Sequence, residues 1–302
     1  MRLLRHKFLV MTKKSRMKNE HLKHISELLL ATLFISTSGV LGKYIDMPPT
    51  IIVWWRSSLA MIFIYLYCRY KKINLKINSR KDFFIFVLGA VFMAGHWITY
   101  FYALKLSNVA LGMLSLYTFP VITALLEPVF IKTKFNPVHL ILGGIVLLGI
   151  YILAPKFDLE SSQVIGIILG LISALCYSLR ILIMKQQVVN YNGTMLMFYQ
   201  VLMITVLLGP TLFIMDTSNI KTQYPYVLLL ALLTTAIGHT IMVKKFNYFS
   251  VSTASIISSI LPVFGILLAF IFLNEIPTTN TFFGGLLILS TVVVESIRSK
   301  KK

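Results

Sequence analysis

The sequence predicts an all-α integral membrane protein whose ten transmembrane helices form two inverted five-helix repeats. Three observations predict it. Mean hydropathy is +0.81 and only 13% of the 302 residues are charged, about half the share found in soluble domains. Apolar windows of about 20 residues, the length that crosses a hydrocarbon layer, follow one another along the chain. Landmarks of the first half recur in the second at a nearly constant offset.

The net charge of +19 is not a nucleic-acid signature. The basic residues gather in short clusters between apolar runs, as loops held at an anionic leaflet do. Cys68 and Cys176 each sit within an apolar run without a metal-ligand partner, which reads as helix packing and not as a disulfide framework.

Taken in order, residues 1–24 form a basic tail expected in the cytoplasm, with Met11 and Met17 as alternative starts. The run from Leu28 to Ile45 lacks a small-x-small cleavage site, so an uncleaved first span is expected instead of a signal peptide. The first repeat, 25–155, holds spans near 25–45, 50–70, 81–104, 107–131 and 137–155. The second, 163–298, holds spans near 163–185, 193–215, 223–245, 250–273 and 278–298, and 299–302 is a second basic tail. "DMPP" at 46–49 and "NEIP" at 274–277 leave room only for tight hairpins. With the N-terminus inside, 23 of the 29 Lys and Arg fall on the inner side. That bias predicts both termini in the cytoplasm and the protein in the cytoplasmic (inner) membrane.

The internal repeat is read from coincidences. Pro120 in "LYTFPVITALL" meets Pro262 in "SSILPVFGILL" at an offset of 142, as Lys43 meets Lys185. Gly143 and Gly144 meet Gly284 and Gly285 at 141, His96 meets His239 at 143, and Arg56 meets Gln200 at 144. Five spans per half is an odd number, so the second half enters the membrane upside down. Inverted repeats suit alternating-access carriers, whose solute binds near the midplane where the halves meet.

The segment "SVSTASIISSILPVFGILLAFIFLNEIPTTNTFFGGLLIL" carries an A-S, a P-V, a following Leu and Phe, and a glutamate before a Gly-containing last helix. "YFYALKLSNVALGMLSLYTFPVITALLEPVF" and "PVHLILGGIVLLGIYIL" echo it in the first half. On these segments the chain resembles EamA-type transporters of the drug/metabolite transporter superfamily, from about residue 25 to 298. The resemblance implies a ten-helix fold with a central cavity for small metabolites. The first copy has Lys132 and Thr133 where the second has Asn274 and Glu275, so no role of that glutamate is mirrored.

Ionisable groups inside spans are costly and face a cavity or a partner. Arg56, after Trp54 and Trp55, either grips an anionic group bidentately or snorkels to the outer headgroups. His96 lies midway along the third span with Tyr100 one turn on; it either meets solute or holds two helices together. His239 has the same two readings, with its small neighbours favouring close packing. Glu127 is a candidate for proton coupling, or for pairing with Lys132 and Lys134. Arg180 is expected to snorkel inward, and Glu275 to stabilise its own hairpin. Pro120 and Pro262 are candidate bends or gates, since an internal proline frees a backbone carbonyl. Tyr117, Tyr177 and Tyr199 are candidate aromatic walls. Gln200 and Ser258 add polar cavity wall, Ser258 within a run of small residues that includes Ser252, Ala254, Ser255 and Ser259.

No Walker A motif, Gly-x-Ser-Gly, His-Glu-x-x-His or paired-aspartate motif occurs; "STSG" at 36–39 is only a superficial match. The expected activity is therefore non-enzymatic, with no cofactor or metal. It is secondary transport of a small amino-acid-like or otherwise amphiphilic metabolite, with export as the expected direction. Ion or proton coupling, exchange and oligomeric state stay open. The alternatives are an intramembrane enzyme or a membrane scaffold. The expected partners are a small-molecule substrate and the lipid bilayer, without nucleic acid.

Overall fold

A computed structural model describes residues 2–131, 136–153, 158, 160–245, 248, 258 and 260–299, and every regular element among them is helical. The helices are α1 (Arg2–Tyr44), α2 (Pro49–Tyr70), α3 (Arg80–Leu106), α4 (Val109–Leu116), α5 (Phe119–Ile131) and α6 (Val138–Leu153). They continue as α7 (Ser162–Gln187), α8 (Gly193–Leu208), a short 3-10 turn (Gly209–Phe213) and α9 (Ile220–Leu229). A π-helical stretch (Leu230–His239) leads into α10 (Thr240–Lys245), followed by α11 (Leu261–Leu273) and α12 (Thr279–Ser299).

Among the described residues, seven stretches are long and apolar enough to cross a membrane: Lys23–Tyr44, Pro49–Tyr70, Arg80–Leu106, Val109–Phe130, Ser162–Gln187, Gly193–Phe213 and Ile220–Lys245. Three shorter apolar helices, Val138–Leu153, Leu261–Leu273 and Thr279–Val294, fall where the fifth, ninth and tenth spans are expected. The 13 residues of α11 reach only about 20 Å at 1.5 Å per residue. Most of the earlier part of that expected span, including Ser252, Ala254, Ser255 and Ser259, lies outside the described residues. The basic tail is helical and continuous with the first span, since α1 runs unbroken from Arg2.

Local chemistry sets the helix ends. Ser79 accepts from the Asp82 N–H at the start of α3, Asn108 from Leu111 N–H at α4, and Asn192 from Thr194 N–H at α8. Lys43 on α1 donates to the carbonyls of Leu104 (2.7 Å), Lys105 (3.2 Å) and Ser107 (2.7 Å) at the end of α3. Lys105 on α3 returns the contact to Ile45 O at the end of α1, 2.7 Å. Each ammonium thus satisfies orphan carbonyls at the negative end of the other helix. Glu275 does not serve its own hairpin. Its Oε2 accepts from Val109 N–H at 2.8 Å, capping α4 in the other half of the chain.

The fourth span is broken. Tyr117 and Thr118 form a turn between α4 and α5, and Pro120 lies in the first turn of α5. Pro262 likewise occupies the first turn of α11. Both prolines begin a helix, where the missing N–H has no intrahelical partner to lose.

The most extensive packing pairs α3 with α7, α6 with α12, α1 with the π stretch and α2 with α8. Glycines allow backbones to touch. A Cβ on Gly149 would lie 3.0 Å from the Gly284 carbonyl, and one on Gly284 would lie 2.8 Å from the Gly149 carbonyl. Both obstacles are backbone and cannot rotate away. Gly284→Val is therefore expected to part α6 from α12 and destabilise the protein by about 1–3 kcal/mol. A fluorescence melting curve in detergent, compared with wild type, checks this.

Candidate functional site

Arg56 sits on α2, 1% exposed, so it is drawn into the protein and not out to the headgroups. Its Nε donates to Thr235 Oγ1 at 3.0 Å, and its Nη2 to Thr234 Oγ1 at 2.9 Å and Thr235 Oγ1 at 2.7 Å. Two consecutive threonines serve one guanidinium because this part of the span is π-helical, with the wider i→i+5 turn. The Trp97 ring lies 3.9 Å from the guanidinium carbon and the Phe101 ring 5.4 Å, so aromatic faces supply some of the lost solvation.

His96 Nδ1 is 2.7 Å from Ser173 Oγ on α7, and that hydroxyl donates to the His96 carbonyl at 2.9 Å. A serine has one proton to give. With that proton on the carbonyl bond, Nδ1 is assigned as the donor and Nε2 keeps the lone pair. The histidine therefore ties α3 to α7 through one nitrogen and has the other free to accept. Tyr177 lies against its ring at 4.6 Å. His239, at the end of the π stretch, is buried 5.4 Å from Trp97 with its Nδ1 unpartnered.

These groups surround a cavity of about 40 Å³ at the junction of the two halves. Ser38, Arg56, His96, Trp97, Tyr100 and Tyr117 line it from the first half. Tyr177, His239 and Leu261 line it from the second. The Tyr117 hydroxyl donates to the Ser258 carbonyl at 2.5 Å, linking α4 to the segment before α11. Tyr100 turns a buried hydroxyl toward Ser38.

Of the residues singled out in the sequence, Arg56, His96, Tyr100, Tyr117 and His239 are thus brought together around one cavity. Gln200 is buried and bonded to Arg180, and neither of the two lines that cavity. Tyr199 faces elsewhere, its hydroxyl donating to Leu75 O at 2.7 Å. Glu127 is half-buried eight residues beyond Phe119, about 12 Å along α5. Its expected partners Lys132 and Lys134 lie outside the described residues.

Arg180 is the residue that sequence reasoning misplaced. It does not snorkel; it is 0% exposed. Nη2 donates to Gln200 Oε1 at 2.8 Å, Tyr177 lies 5.7 Å from the guanidinium carbon, and Nε and Nη1 have no partner. Ser173, Thr234 and Thr235 were also passed over. The adjacent hydroxyls in "LLTTAIGH", one turn before a histidine, were the available signal. Among the described residues no Asp or Glu is buried, so the two guanidiniums share this interior without a counter-charge.

Residues 23–154 and again 164–296 match the EamA-like transporter family. The chain belongs to that family. As an EamA-like protein it is a multi-pass membrane transporter of the drug/metabolite transporter superfamily. It is also similar to the pseudopaline exporter CntI of Pseudomonas aeruginosa, in strains UCBPP-PA14 and PAO1. Each is 24% identical over 282 residues, covering 91% of this chain and 97% of the relative. A protein crystal structure shares the fold with a TM-score of 0.68 at 16% identity, covering 92% of this chain and 98% of that one.

Two substitutions probe the geometry of this EamA-like site. Thr235→Val keeps the shape but removes the hydroxyl that accepts two bonds from Arg56, at an expected cost of about 1.5–3 kcal/mol for a charged donor. Ser173→Ala is expected to cost about 0.6–2 kcal/mol through the lost α3–α7 link. Melting curves of the purified variants check both.

Proposed function

We propose that this chain is a secondary transporter of ten spans in two inverted halves, moving a small amphiphilic metabolite outward across the cytoplasmic membrane by alternating access. The substrate is amino-acid-like and carries carboxylate or comparable anionic groups. The observation that carries this reading is the pair of buried guanidiniums, Arg56 and Arg180, with no buried carboxylate among the described residues.

A charge removed from water without a counter-ion costs several kcal/mol. The threonine hydroxyls and Gln200 offset part of that cost; an anion between the halves would offset more. Arg56 then grips one anionic group, and His96 Nε2 and His239 supply hydrogen bonds to the polar remainder. The rings of Trp97, Tyr100, Tyr117 and Tyr177 pack its apolar parts. Ligand pockets hold about 300–1,000 Å³, whereas the cavity measures about 40 Å³. Binding therefore requires the halves to separate, as alternating access does. Pro120, just after the break in the fourth span, and Pro262, in the first turn of α11, are the proposed bending points, and Glu127 the proposed site of any proton coupling.

The helix pairing supports inversion. Exchanging each span with its counterpart five later converts the α3–α7 contact into that of the π stretch with α1. The same exchange returns the α2–α8 and α6–α12 contacts to themselves. The two successive family matches support the duplication. Export is favoured by the likeness to the Pseudomonas relatives, which are exporters.

In proteoliposomes, a panel of amino-acid-like mono-, di- and tricarboxylates is expected to show saturable flux that their amides lack. Arg56→Ala is expected to reduce that flux more than tenfold while membrane insertion stays normal. Wild-type flux in this variant would remove the guanidinium from the transport site. For the topology, single cysteines at Arg80 and Tyr248, in a chain lacking Cys68 and Cys176, are expected to label from the cytoplasmic side alone.

A further inference from the structure

A second cavity, of about 330 Å³, opens on the flank of the bundle between α2, α8 and the π stretch. Its wall is apolar along Ile64, Leu232 and Ile237, and its volume lies within the range of ligand pockets. One end is not apolar. Lys244 lines it there, its Nζ 3.5 Å from the Tyr67 hydroxyl and 4.9 Å from that ring. Thr194 and Thr240 also line it, 0% and 5% exposed, and neither hydroxyl has a hydrogen-bond partner. Those buried donors meet no acceptor among the described residues, although threonines in membrane helices ordinarily turn back onto their own backbone.

The polar end lies beside the amino-terminal end of the first span. The neighbouring Lys245 pairs with Glu27 and is 2.8 Å from His24 Nδ1. Positive-inside counting puts this end at the inner leaflet. An apolar slot with an ammonium and two unpartnered hydroxyls at its headgroup end complements an acyl chain ending in ester and phosphate oxygens. We propose that this groove binds one anionic phospholipid of the inner leaflet. The phosphate sits on Lys244 and Tyr67, the hydroxyls of Thr194 and Thr240 donate to the lipid's oxygens, and one acyl chain lies along the apolar wall.

The site also touches the transport machinery. Ala236 and Ile237 face the groove, while Thr234, Thr235 and His239 of the same π stretch face Arg56 and the central cavity. A lipid in the groove therefore leans on the element that holds the guanidinium.

The test reads lipid binding, and its outcome does not depend on which solute is carried. The delipidated full-length protein in detergent is titrated with phosphatidylglycerol, phosphatidylcholine or soluble glycerophosphate, with binding read by native mass spectrometry and melting temperature in parallel. The expected result is one phosphatidylglycerol held more tightly than phosphatidylcholine, and no response to glycerophosphate alone. Lys244→Gln is expected to weaken phosphatidylglycerol about fivefold, the worth of one basic side chain at an anionic leaflet, and phosphatidylcholine, whose choline offsets its phosphate, by less. Lys244→Arg is expected to restore the preference, and Ala236→Trp, which fills the slot, to remove the bound lipid. Equal binding of the two lipids, or unchanged phosphatidylglycerol binding in Lys244→Gln, would overturn the proposal. A response to glycerophosphate alone would overturn the acyl-chain part of it. Lys244 is partly exposed, so its variants keep the test decisive even where Ala236→Trp fails to fold.

Discussion

A guanidinium cannot shed its charge and cannot be left bare inside a bilayer, and this interior contains two of them. Arg56 is held by neutral dipoles and the face of an indole; Arg180 by one amide oxygen, with two of its nitrogens unpartnered. Neither meets a buried carboxylate among the described residues. Much of the surrounding structure answers to that constraint. The π stretch presents consecutive hydroxyls to one cation. Aromatic rings close around the remainder.

The second organising feature is where backbones touch. At α6 and α12, Gly149 and Gly284 meet carbonyl to carbon with no side chain between. Gly238 likewise brings the π stretch close to the backbone carbonyl of Ala31 on α1. Contacts of this kind are stiff, since nothing in them can change rotamer. The cavity and the flank groove are instead bounded by side chains, and the π stretch is shared by both.

Legibility differed by residue. Glu275 and Lys43 were visible as charges at span ends, but their roles as caps for α4 and α3 depend on helices 166 and about 61 residues away in the chain. His96 posed two readings that turned out compatible, because an imidazole has two nitrogens and only one is used by Ser173. Arg180 was misread because it stands five residues from Lys185, close enough to a span end in sequence to suggest snorkelling. Its direction around the helix, toward Tyr177 and Gln200 and not toward lipid, is a rotational fact that one-dimensional depth does not contain.

The sequence by itself determined the solvent, the helical class and the family resemblance. Long apolar runs admit only backbones that satisfy their own hydrogen bonds, and that requirement is local to each segment. What only the tertiary structure decided is which polar groups share one interior. Arg56 meets Thr234 and Thr235 across about 179 residues of chain, and His96 meets Ser173 across 77. Such encounters depend on how each helix is rotated against its neighbours. That rotation is set by packing summed over many side chains, among them glycines whose importance lies in what approaches them.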